Sequence, residues 1–122
     1  MEIEKSEIND VLIVRLSGRL DGENPSRFKK QLNRYIELNP DIILDCTELS
    51  YLDSSGLGAL LSCLRKTVAK GGDMKLTGLG SEVLMVLELT RTQKVFSIFK
   101  SIPEALASFA MDKTRIVIPA NG

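Results

Sequence analysis

Asp53-Ser54-Ser55-Gly56-Leu57-Gly58, continued by the stripe Leu57, Leu60, Leu61, Leu64 and Val68, decides the fold class of this chain. The stripe recurs at i, i+3, i+4, i+7 and i+11, the period of an amphipathic helix, and Gly71-Gly72 stops it. Upstream, Ile42-Ile43-Leu44 is a short β-type run; polar Asp45-Cys46-Thr47 after it predicts the end of that strand and a loop into the hexapeptide. A strand, a serine-bearing loop and a helix therefore follow one another, with the serines at the mouth of the helix.

Working outward, Val11-Leu-Ile-Val-Arg-Leu16 reads as a buried strand, and Ile3 with Ile8 as an edge strand joined to it by a turn at Asn9-Asp10. From Ser26 to Leu38, Phe28, Leu32, Tyr35 and Ile36 fall at helical spacing, with Pro25 where a first turn tolerates it and Pro40 beyond the end. Met74–Thr77 is a strand, Gly78-Leu79-Gly80 a turn, and Ser81 to about Leu89 a helix. Val95–Phe99 supplies the last strand and Ser101–Phe109 a final helix with Pro103 and Glu104 in its first turn.

Strands alternating with helices at this spacing predict an α/β fold: a mixed sheet of about five strands with an N-terminal hairpin, covered by about four helices. One domain over residues 1–110 is expected. Residues 111–122 form a tail whose β-prone Thr114–Ile118 is either an extra edge strand or a disordered end.

The composition narrows the function. Sixteen basic and sixteen acidic residues cancel in 122, which argues against a chain built to neutralise nucleic-acid phosphates or to lie on an anionic membrane. Protein partners are the expectation. Cys46 and Cys63 are the two cysteines and show no paired spacing, so no disulfide framework, metal site or cofactor is expected and the setting reads as reduced and cytoplasmic. No apolar run approaches the ~18 residues needed to span a bilayer. Histidine is absent, which removes the commonest general base and lowers the case for an enzyme.

Either Ser54 or Ser55 can cap the helix by accepting a first-turn N–H, while Gly56 and Gly58 let the backbone turn and Asp53 complements the helix dipole. A phosphoryl group on the same loop brings nearly two negative charges to a helix end that tolerates them and to a partner surface that does not.

The hexapeptide after Ile42-Ile43-Leu44-Asp45, with Gly18-Arg19-Leu20-Asp21 after the second strand, Gly72 before the Met74 strand and Val95–Phe99 near the end, strongly resembles the STAS domains of bacterial anti-sigma factor antagonists. The resemblance covers about residues 3 to 110. It implies a small antagonist that binds an anti-sigma factor of the serine-kinase type when unphosphorylated, is released on phosphorylation by that kinase, and is restored by a PP2C-type phosphatase. Carried over by position, the acceptor is Ser54, with Ser55 as the neighbouring alternative. Asp21, Asp53, Ser54, Ser55, Gly56, Leu57 and Gly58 form the partner-binding set. Thr90-Arg91-Thr92-Gln93 departs from the Gly-Leu frequent there in the family, which bears on partner identity more than on fold.

Four other readings compete. A STAS module serving as a scaffold or sensor in another signalling route shares every feature above. A receiver domain using Asp45 as phosphoacceptor lacks the acidic pair after its first strand that a Mg²⁺ site requires: Arg19-Leu20-Asp21-Gly22 offers one carboxylate until Glu23. A hydrolase using Ser54 or Ser55 has no histidine and no lysine within the motif, and a nucleotide-binding enzyme lacks a GxxxxGK loop.

Overall fold

The computed structural model describes residues 1–114. The edge strand foreseen at Thr114–Ile118 lies, apart from Thr114, outside the described residues. The elements in order are β1 (Glu2–Ile8), β2 (Val11–Leu20), α1 (Pro25–Leu38), β3 (Asp41–Leu52), α2 (Ser54–Ala69), β4 (Asp73–Thr77), α3 (Ser81–Leu89), a 3₁₀ turn (Thr92–Lys94), β5 (Ser97–Phe99) and α4 (Ile102–Thr114). The sheet runs β1-β2-β3-β4-β5, antiparallel at the opening hairpin and parallel thereafter. This is the expected mixed α/β sheet with four helices.

Strand alternation sends two apolar sets to two faces. Leu12, Val14 and Leu16 of β2, Ile42 and Leu44 of β3, and Met74 and Leu76 of β4 meet Phe28, Leu32 and Ile36 of α1, Leu57, Leu60 and Cys63 of α2, and Val83 and Leu87 of α3. The opposite face, Val11, Ile13 and Ile43, meets Ala105 and Phe109 of α4. Lys75 continues that second row, in register with Ile43, and only 1% of it is exposed. Its Nζ donates to Ser108 Oγ (2.6 Å) and Asp112 Oδ2 (2.7 Å) and lies 4.2 Å from the Phe109 ring centroid. A buried ammonium held by a hydroxyl, a carboxylate and a ring face is thus what ties the last turns of α4 to the sheet.

Several boundaries differ from the sequence expectation. β3 does not end at Leu44 but runs on through Asp45, Cys46 and Thr47 to Leu52, paired with β2, which itself continues past Leu16 to Leu20. The register shifts between Arg15 and Ser17 and again between Gly18 and Arg19, and Gly18 takes a φ of +103°. These irregularities put Cys46, Leu49 and Leu52 on the core side at every third residue, so simple alternation fails there and the stretch reads as a loop. Thr92–Lys94 coils as a 3₁₀ turn and shortens β5 to Ser97–Phe99, while α4 extends five residues beyond Phe109.

Candidate functional site

The extra residues of β2 and β3 form an arm beyond the end of β4, and its last pair, Leu20↔Leu52, sets Asp21 beside Asp53. The hexapeptide thus leaves a strand that already lies against the β2–α1 loop.

Asp53, in extended conformation, is the N-cap of α2: its Oδ1 accepts the Gly56 N–H at 2.9 Å. Its other oxygen, Oδ2, accepts the Gly22 N–H at 3.1 Å, so one carboxylate ties the helix end to the β2–α1 loop. This corrects the expectation that Ser54 or Ser55 does the capping. An ionised carboxylate with two oxygens satisfies both donors at once, which a hydroxyl is too small to do.

The helix begins at Ser54, not at Leu57, and Ser54 and Ser55 fill its first two positions. Both are exposed, and no described residue holds either hydroxyl by a hydrogen bond. The Ser55 hydroxyl faces the Gly22 backbone, 3.8 Å from where a Cβ on that glycine would sit.

Gly56 is buried, and a Cβ there would run into the Leu20 carbonyl and stand 2.9 Å from Leu52 Cδ1. Its role is close approach of helix to strand rather than a sharp turn. Gly58, in contrast, is exposed with open space where a Cβ would go, and Leu57 is buried in the core. Of the proposed partner-binding set, then, Ser54, Ser55 and Gly58 are fully at the surface, Asp21 and Asp53 are half-buried, and Gly56 and Leu57 face inward.

Asp21 shapes the neighbouring loop. Its Oδ1 accepts the Glu23 N–H (3.0 Å) and its Oδ2 the Arg19 Nε–H (3.3 Å); these two contacts, the backbone one foremost, hold its carboxyl below the ordinary pKa of 3.8. Sequence reading missed the groups that fix this loop. Asn24 accepts the Asp21 N–H (3.1 Å) and donates to the Arg19 carbonyl (2.8 Å), a role its place before Pro25 signals. The Arg19 guanidinium lies 3.9 Å from the Tyr51 ring centroid, a contact across the β2–β3 arm that no local pattern reveals.

Beside the arm, Ser50, Tyr51, Leu52, Glu82, Val83 and Val86 line a small groove of about 140 Å³. Asp45, the acceptor a receiver would use, lies inside β3 rather than in a loop or turn, and its Oδ1 accepts the Thr47 hydroxyl (2.6 Å) and N–H (3.1 Å). Among the described residues, no three acidic, cysteine or histidine side chains are grouped to hold a metal ion, and no helix is long and apolar enough to cross a membrane. Burial raises both thiols, Cys46 to about 12 and Cys63 to about 11, so neither is poised as a nucleophile.

Known proteins share this fold. The STAS domain model matches residues 2–105. An anti-sigma F factor antagonist of Paenibacillus polymyxa is 32% identical over 108 residues, covering 87% of this chain and 92% of that one. Among solved structures, an anti-sigma factor antagonist from Mycobacterium paratuberculosis superposes with a TM-score of 0.79 at 19% identity, over 88% of this chain and 92% of that chain. The Bacillus cell fate determinant SpoIIAA in its phosphorylated form gives 0.64 at 21%, over 93% of this chain and all of that chain. With the family model matching residues 2–105 and a relative 32% identical over most of both chains, the chain belongs to the STAS domain family, among the relatives of the anti-sigma factor antagonists.

Proposed function

We propose that this protein is an anti-sigma factor antagonist that works by partner switching. Unphosphorylated, it binds an anti-sigma factor of the serine-kinase type through the surface around Asp21, Asp53, Ser54, Ser55 and Gly58; phosphorylation of Ser54 ends that complex, and a PP2C-type phosphatase restores it. The observation that carries this reading is the pair of exposed, unengaged serines at the first positions of α2, with Asp53 already capping the helix. Because the cap is a different residue, a serine hydroxyl can be esterified without costing the helix its terminus.

The protein acts as substrate. The serine hydroxyl oxygen forms a bond to the γ-phosphorus of a nucleotide held by the kinase, the hydroxyl proton passes to the kinase's base, and the nucleoside diphosphate leaves. The product carries nearly two negative charges at the positive end of a 16-residue helix, which stabilises it locally. The same charge, added beside Asp53 and Asp21, repels a partner surface fitted to the neutral serine. The 32% identity to an anti-sigma F factor antagonist, and a structural relative known in phosphorylated form, support the assignment.

The test is a binding measurement. Ser54→Asp should weaken the complex with the anti-sigma factor encoded in the same genome by at least tenfold in calorimetry, with an unchanged circular dichroism spectrum. Equal affinity for wild type and Ser54→Asp would overturn a charge-based switch.

A further inference from the structure

Helix α1 breaks the electrostatic rules that favour helices, and it does so on one face. It carries Arg27, Lys29, Lys30 and Arg34 but one acid, Glu37, and that carboxylate is already paired with Lys70 (2.9 Å) on the α2 side. Arg27 sits in or next to the first turn, which holds no acidic residue, at the end of the dipole that repels cations. Arg27 and Lys30 are spaced i, i+3 and Lys30 and Arg34 i, i+4, so like charges are stacked as neighbours along the surface. Among the described residues, none of these cations forms an ion pair. The helix is held by the burial of Phe28, Leu32 and Ile36 on its other side, so the cationic stripe contributes nothing to the fold. Local rules broken without a structural return point to a binding role.

Arg27, Lys30, Gln31 and Arg34 line an open depression of about 310 Å³, a concave surface offering three cations and an amide. Its place is informative. Residue 24 precedes α1 in the loop that Asp53 holds through Gly22, so the stripe starts within a turn of the serine motif and runs away from it for about 10 Å.

We propose that this stripe is a docking surface for a carboxylate-rich segment of the same protein partner that engages the Ser54 end; the inference rests on the reading of that end as a partner surface. The chain's zero net charge and the shortness of the stripe disfavour a duplex, which needs a longer run of phosphate contacts. The apolar residues interleaved within the stripe, Phe28 and Leu32, are buried, leaving nothing to insert into a bilayer. The Ser54 end is acidic, with Asp21, Glu23 and Asp53, whereas the α1 face is basic. A partner with both signs in matching places is oriented by the two patches together, and its approach is accelerated by the stripe.

The experiment compares full-length wild type with the triple variant Arg27→Gln, Lys30→Gln and Arg34→Gln, all at exposed positions. Association with the anti-sigma factor from the same genome is followed by biolayer interferometry at 50 and 300 mM NaCl. The expected result is an association rate about fivefold to tenfold lower for the variant at low salt, converging on wild type at high salt, with phosphorylation of Ser54 still complete given time. A control, Lys100→Gln, exposed just after β5 at the sheet edge opposite β1, should match wild type. A triple variant with wild-type rate and salt dependence would overturn the stripe while leaving the Ser54 reading intact. A wild type that neither binds nor is phosphorylated would overturn that reading and the stripe's partner with it. Capture of duplex DNA or of phosphatidylglycerol vesicles at 150 mM salt by wild type, abolished in the triple variant, would overturn the choice of a protein.

Discussion

The carboxylate of Asp53 bonds the backbone N–H of Gly22 across the gap between α2 and the β2–α1 loop, 31 residues away in sequence, while capping its own helix at Gly56. One side chain thereby sets the mutual position of the two segments that form the proposed partner surface.

Removing that carboxylate should therefore do two things. Asp53→Ala is expected to lower stability by about 1–2 kcal/mol in urea denaturation, the cost of a lost cap. The Gly22 amide should also exchange faster with solvent deuterium, because its acceptor is gone. Asp53→Asn, which keeps an oxygen for the cap, should lose less than half as much.

The two glycines of the motif should behave oppositely. Gly56→Ala forces a Cβ against the Leu20 carbonyl and is expected to destabilise by about 1–3 kcal/mol, the range for overpacking. Gly58→Ala meets open space on a helix and should stabilise by about 0.5–1 kcal/mol. Thermal melts of the two single variants decide it; equal shifts would contradict the geometry.

These contrasts show what the sequence discloses and what it hides. The stripe from Leu57 to Val68 and the β-rich run at Val11 follow simple periods, so the main elements and their order are legible. The end of β3 is not, because bulges near Arg15 and Gly18 replace alternation with a three-residue spacing of Cys46, Leu49 and Leu52. Ser54, Ser55 and Asp53 are visible as a cap motif, but which of them caps depends on Gly22, which only the tertiary pairing Leu20↔Leu52 brings near. The Arg19–Tyr51 stack is hidden for the same reason.

The buried Lys75 makes a further asymmetric pair of variants. Asp112→Ala leaves an ammonium without its carboxylate in a site 2% exposed and should cost about 1–3 kcal/mol, discounted because the Asp112 side chain is half exposed. Lys75→Met, which fills the same space without charge and lets Asp112 turn to water, should cost less. Chemical denaturation of both compares them directly.

Titration of Asp21 offers a pH test. With its folded carboxyl held below 3.8 by the Glu23 N–H and Arg19, the stability it contributes is present above the unfolded value and is lost as pH falls through the folded one. Carboxyl-detected NMR should find Asp21 titrating below 3.8 in wild type and moving upward in Arg19→Gln. No change on removing Arg19 would contradict the contribution assigned to it.

Site mapping by mass spectrometry tests the central claim most directly. The full-length protein, incubated with ATP and the serine-kinase-type anti-sigma factor from its own genome, should gain one phosphate, located on Ser54 by fragmentation and absent from Ser54→Ala. A single phosphate on any other residue, or full modification of Ser54→Ala, would contradict the assignment of the switch to the first residue of α2.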